Sequence, residues 1–338
     1  MKTTGEILLR KEGNRQGFSL LIYMVILNVV VMLLILMAAI VPLITVMTDL
    51  LQDRQMTPEI LMEALTVEYT RIIQQVTEVF SGWGYLLAVA IGAVLMFVIK
   101  KPAFFARILQ RRGRNMKMGR FFVILTFFMS AQMLYQLMAY GLDLLLRHWG
   151  ISLADFLQDN SVSTDTLGMF LYVCLVAPIF EELVFRGMVL HGLLPFGRRF
   201  AVVMSAVFFG LFHGSPLQSA YAILVGLVLG YVAVEYHVIW AMILHMINNL
   251  IMADTLPRLL ELLPHDLGNF VMEIILLAFF VAALVILVVK RRSLIALWKR
   301  DRVRAWQRKA YLLSPGMLLL CLGCFAEMGL FILLLLQT

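Results

Sequence analysis

Long apolar runs separated by short polar segments organise this chain. The runs cover residues 18–47, 83–99, 121–146, 167–191, 200–214, 217–234, 238–252, 269–289 and 312–336. Most reach or approach the roughly 20 residues that a helix needs to cross the hydrocarbon layer. They are continuous, without the period-2 alternation of a barrel strand. Only helices and closed barrels satisfy their own backbone groups in lipid. The pattern therefore predicts an all-α fold, a polytopic transmembrane helix bundle of eight or nine spans. The 200–214 and 238–252 runs are short for a full crossing, which predicts helices that are tilted, broken or shielded inside the bundle. No fixed-period repeat and no low-complexity linker interrupts the series. The chain reads as N-terminal helices over 1–120, a core over 121–255 and C-terminal helices over 256–338.

Between the first two runs lies a different pattern. Thr57-Pro58-Glu59 is a helix-start signal of cap residue, proline and early acid, and Leu61, Leu65, Tyr69, Ile72 and Val76 follow at spacings of three and four. This amphipathic stripe predicts a separate extracytoplasmic helix within 48–82, lying on the bundle or on the lipid surface.

Composition agrees with lipid as the solvent. Of 338 residues, 62% are hydrophobic and 14% charged, with a mean hydropathy of +0.91; soluble domains average about 45–50% apolar and about 25% charged. The net charge of +7 sits in short segments between apolar runs, a pattern of membrane orientation and not of a nucleic-acid groove. The segment 100–120 carries Lys100, Lys101, Arg107, Arg111, Arg112, Arg114, Lys117 and Arg120 with no acid, and 290–309 carries nine basic residues against Asp301 alone. Both are expected on the cytoplasmic side, together with the N-terminus and the Arg198-Arg199 turn. The acidic stretches 48–82 and 147–166 then fall outside. Cys174, Cys321 and Cys324 lie in apolar runs, so neither a disulfide framework nor a redox role for Cys321-Leu-Gly-Cys324 is expected.

An ionisable side chain at membrane depth costs about 2.5–3.5 kcal/mol or more and marks a site that needs it. Such residues concentrate in three groups. Glu181 and Glu182 fall in the middle of 167–191, and Glu182 and Arg186 stand one helical turn apart, which predicts an ion pair that leaves Glu181 free. Phe209 and His213 form the second group; the Gly210/Gly214 spacing is expected to let a neighbouring helix approach His213 closely. His245 and Asn249 share one helix face with Asn248 beside them. A carboxylate, imidazoles and an amide are groups that can activate water and stabilise an oxyanion, and Ser205 and Cys174 lack an evident base. Glu181, His213 and His245 are also ordinary zinc ligands. The HExxH arrangement is absent, so zinc stays open with a lean towards a metal-free site.

In order and spacing, Glu181-Glu182-x-x-x-Arg186, Phe209-x-x-x-His213 and His245-x-x-x-Asn249 resemble the three motifs of the CAAX prenyl protease and bacteriocin-processing (CPBP, or Abi) family of intramembrane proteases, over about 165–255. The resemblance implies a CAAX-protease-like core that hydrolyses peptide bonds within the bundle, open toward the cytoplasm. It implies that Glu181 and His213 activate water, that His245 and Asn249 form the oxyanion hole, and that Glu182, Arg186 and Phe209 support them. The substrate would be a peptide or membrane protein in the lipid bilayer: prenylated C-termini for eukaryotic members, peptide maturation, self-immunity or surface-protein regulation for bacterial ones. The composition leans towards a bacterial plasma membrane. A non-catalytic scaffold or immunity factor of the same fold and a proton-coupled transporter are the competing functions.

Overall fold

The computed structural model describes residues 3–52, 57–100, 108–110, 113–159, 163–299 and 303–337. Among these there is no strand, and eight helices are long and apolar enough to span a bilayer. The polytopic all-α bundle expected from the apolar runs is the observed fold. In chain order the helices are α1 (Thr4–Gln52), α2 (Pro58–Lys100), α3 (Met118–Leu146), the short α4 (Leu153–Asp159), α5 (Leu167–Phe196), α6 (Arg198–Leu211), α7 (Pro216–Glu235), α8 (Val238–Leu260), α9 (His265–Lys299), the short α10 (Ala305–Leu312) and α11 (Pro315–Leu335).

At the centre stands α5. Val184, Phe185, Met188, Val189 and Leu190 are buried in the main core with Phe208 and Phe209 of α6, Leu229 of α7 and Leu244 of α8. Around this nucleus α1 packs along α2 and α11, α7 meets α3, and α9 lies against α3. Glycines set the closest approaches. A Cβ on Gly226 would stand 3.0 Å from Ala206 Cα, and one on Gly210 would stand 2.5 Å from the Ser219 carbonyl. The α6 and α7 backbones therefore touch as small residues allow in membranes. At one end of this pair Glu235 binds Arg114 at 2.5 Å and also binds Arg198.

The amphipathic stripe of 57–80 is not a separate surface helix. It is the first half of α2, one helix of 43 residues, and Ile72 and Val76 bury against Ala39 of α1, not against lipid. At 1.5 Å per residue α1, with 49 residues, is about 74 Å long and α2 about 65 Å. Each is more than twice the roughly 30 Å hydrocarbon thickness. The two form an antiparallel hairpin that runs past the apolar layer. At 14 residues, about 21 Å, α6 fails to cross it, as its short apolar run implies.

Candidate active site

Glu181 and Glu182 fall midway along α5, where the helix is not a regular α-helix. Residues Tyr172–Val176 and Glu182–Leu190 are π-helical, a widening that frequently occurs at functional sites. The first widening has a chemical consequence. Ala177 N–H bonds the Tyr172 carbonyl, five residues back. The Val173 carbonyl would then need an N–H from residue 178, which is proline and has none. Asn249 of α8 fills that gap, donating from Nδ2 to Val173 O at 2.9 Å. Near the end of α8, where Leu250–Thr255 is also π-helical, the Thr164 hydroxyl donates to the Ala253 carbonyl at 3.1 Å. Arg258 closes this end through Asp254 at 2.9 Å and Asp165 at 3.0 Å.

The polar groups of α5, α6 and α8 meet around one aromatic ring. Glu182 and Arg186 are fully buried and pair at 3.0 Å, and Arg186 also donates to the Gly226 carbonyl at 3.2 Å. The guanidinium lies 4.2 Å from the centroid of the Phe209 ring, a cation–π contact. Edge to face with the same ring stand His213 at 5.0 Å and His245 at 5.7 Å. His245 Nδ1 is 3.1 Å from Glu182 Oε1. A carboxylate only accepts, so Nδ1 carries the proton and Nε2 is turned to Glu181 Oε2, 3.9 Å away. His213 Nδ1 donates to the Phe209 carbonyl at 2.8 Å, which leaves its Nε2 as the basic nitrogen. His213 is close enough to Glu181 and His245 to interact electrostatically with both. The Glu181 side chain, 22% exposed, is the accessible carboxylate; Glu182 has no exposure.

Asn249 lies one turn beyond His245, its Oδ1 accepting from Asn248 at 3.1 Å. One of its two amide N–H groups is used on Val173. Glu182 Oε2, Arg186 Nε and Asn248 Oδ1 have no hydrogen-bond partner, and buried orphans of this kind are rare enough to need an explanation. The Ser205 hydroxyl is tied to the Phe185 carbonyl at 2.8 Å. Among the described residues no group of three or more His, Cys, Asp or Glu side chains is arranged to hold a metal ion; the Nδ1 atoms of both histidines are turned to protein acceptors.

One expectation changes. The Gly210/Gly214 pair does not act as a packing motif: α6 ends at Leu211, and Gly214 lies beyond it at φ 66°, in a turn that only glycine enters without strain. Gly210 alone packs on α7. The motif reading also overlooked Tyr23 and Tyr172. The Tyr23 ring stacks on Phe212 at 5.8 Å, and both phenols interact electrostatically with Glu181. Neither is ionisable enough to stand out by charge in an apolar run.

Fold and site together define an integral membrane protein with a carboxylate–imidazole cluster inside its bundle. Residues 163–251 match the model of the family described as Type II CAAX prenyl endopeptidase Rce1-like, and this bears out the resemblance carried by the three motifs. The match holds every motif residue and leaves α1–α4 and α9–α11 outside. No curated protein and no solved structure matches the chain. At the level of the family, the activity is that of a CAAX-type membrane protease.

Proposed function

We propose that this protein is an intramembrane endopeptidase that hydrolyses peptide bonds with water activated by Glu181 and His213. The observation that carries the reading is the relay Arg186–Glu182–His245, which aims His245 Nε2 at the accessible carboxylate of Glu181, 3.9 Å away. A buried ion pair orients the imidazole, so the imidazole does not have to be ordered during the reaction.

In this mechanism Glu181 takes a proton from water as the oxygen attacks the peptide carbonyl carbon, and His213 Nε2 accepts a hydrogen bond from the same water. The carbonyl π electrons move to oxygen. That oxyanion receives the second N–H of Asn249 and, from a doubly protonated His245, the Nε2–H; the Nδ1–H stays on Glu182. The C–N bond then breaks as the proton held by Glu181 passes to the leaving nitrogen. All of these transfers run between side chains of this chain, water and substrate. The proposed setting is a bacterial plasma membrane, with the N-terminus and the basic segments on the cytoplasmic side and the active site opening toward it. The proposed roles are peptide maturation, self-immunity or surface-protein regulation.

Purified Glu181→Gln and His213→Ala proteins are each expected to lose about 10²–10⁴-fold in peptide hydrolysis while unfolding thermally like the wild type. Chelators are expected to leave the wild-type rate unchanged. Hydrolysis by Glu181→Gln at the wild-type rate would overturn the mechanism, and a biological effect that survives both substitutions would favour a scaffold of the same fold. Comparative peptidomics of membranes carrying wild type or Glu181→Gln names the substrate.

A further inference from the structure

α11 carries a charge that the proposed mechanism does not use. Glu327 lies within the apolar span Pro315–Leu335, and an intramembrane ionisable residue is by default a functional one whose partner has to be named. Its Oε1 accepts from Asn28 Nδ2 of α1 at 2.8 Å. No ion pair among the described residues involves it. Its Oε2 faces the turn that follows His213: a Cβ built on Gly214 would stand 3.7 Å from it. Gly214 has no Cβ, and its positive φ keeps one out. The carboxylate therefore looks onto the backbone next to His213.

Two stacked rings join α2 to the helix that carries Glu181. Tyr85 of α2 stacks on Tyr172 of α5 at 4.6 Å; Tyr85 interacts electrostatically with Glu327 and Tyr172 with Glu181. Among the described residues Arg186 pairs with Glu182, and neither Glu181 nor Glu327 has a lysine or arginine partner. The ionised Glu327 carboxylate therefore makes the turn beside it a negatively charged place in an apolar surround. Such a region attracts a cation and repels an anion. Asn28, Tyr85 and Glu327 all lie outside residues 163–251, the segment that matches the family model.

We propose that Glu327, braced by Asn28, is a specificity-determining residue: the subsite for a cationic group of the substrate close to the scissile bond. The group is a lysine or arginine side chain or a free N-terminal ammonium, and a substrate C-terminal carboxylate is disfavoured there. This assignment rests on the peptidase reading for the position of the scissile bond, but not for the binding preference itself.

The test uses the full-length protein in detergent and matched fluorogenic peptides with acetylated N-termini, in which a single Lys, Gln or Glu is walked through successive positions. Binding and cleavage are measured separately, and a lysine-free peptide with a free amino terminus distinguishes the two sources of positive charge. A charge-assisted hydrogen bond predicts that the best Lys peptide binds and is cut roughly 10- to 100-fold better than its Gln counterpart. Glu327→Gln levels the two and Glu327→Lys favours the Glu peptide. Asn28→Leu, a second variant should Glu327→Gln not fold, removes the amide that orients Oε1 and lowers the Lys preference several-fold. Wild type indifferent to charge, or a Lys preference intact in Glu327→Gln, overturns the proposal. A preference in binding with no cleavage of any peptide upholds the subsite and refutes the peptidase.

Discussion

Arg186 shows what the site asks of single residues. It is fully buried, and its counter-charge, its carbonyl acceptor and its aromatic cover come from Glu182, Gly226 and Phe209. Breaking a buried pair by removing one partner costs about 3–5 kcal/mol, because the other charge is left uncompensated. Glu182→Ala is expected to lower stability by about that much in thermal unfolding. Glu182→Met combined with Arg186→Met is expected to recover most of the stability while hydrolysis stays low, because His245 then lacks the acceptor that orients it. The Glu182–Arg186 pair was legible from i, i+4 spacing alone. The bond from Glu182 to His245 was not: it joins residues 63 apart, and sequence spacing gives no information on which face of α8 meets α5. Glu327 and Asn28 are a different matter. Each is a polar residue inside an apolar run, and the cost argument that selected Glu181 selects them equally well.

At the scale of the element, Pro178 explains which carbonyl the first widening of α5 leaves over and what binds it. Val173 O is free for Asn249 because residue 178 has no N–H. Pro178→Ala restores a donor that competes for that carbonyl, so Asn249→Ala is expected to destabilise less in the Pro178→Ala background than in the wild type. A double-mutant cycle on thermal stability reads the coupling directly, at roughly 1 kcal/mol. The apolar runs foretold which segments are helical and that α6 is short. They could not foretell the π registers, which depend on hydrogen bonds shifting by one residue within an unchanged apolar pattern. The stripe of α2 was visible as a stripe, but an apolar face reads the same whether a bilayer or another helix covers it. Ala39 of α1 is the partner that decides.

Across the whole molecule, the family core is enclosed by helices from both ends of the chain. A Cβ on Gly17 would stand 2.2 Å from the backbone of Gly316, so α1 and α11 cross backbone to backbone. Near this crossing the Tyr311 hydroxyl donates to Gln16 Oε1 at 2.5 Å, and Gln16 Nε2 donates to the Val189 carbonyl of α5 at 3.2 Å. Gly316→Ala is expected to cost about 1–3 kcal/mol by overpacking, seen as a lower unfolding temperature, and to weaken the Asn28–Glu327 contact farther along the same pair. The order of synthesis gives this crossing a further meaning. α1 is made before α11, so it can pair with α2 at once but has to wait for translation to deliver the helix that covers Gly17. A ribosome that stalls short of Pro315 leaves that one face of α1 bare.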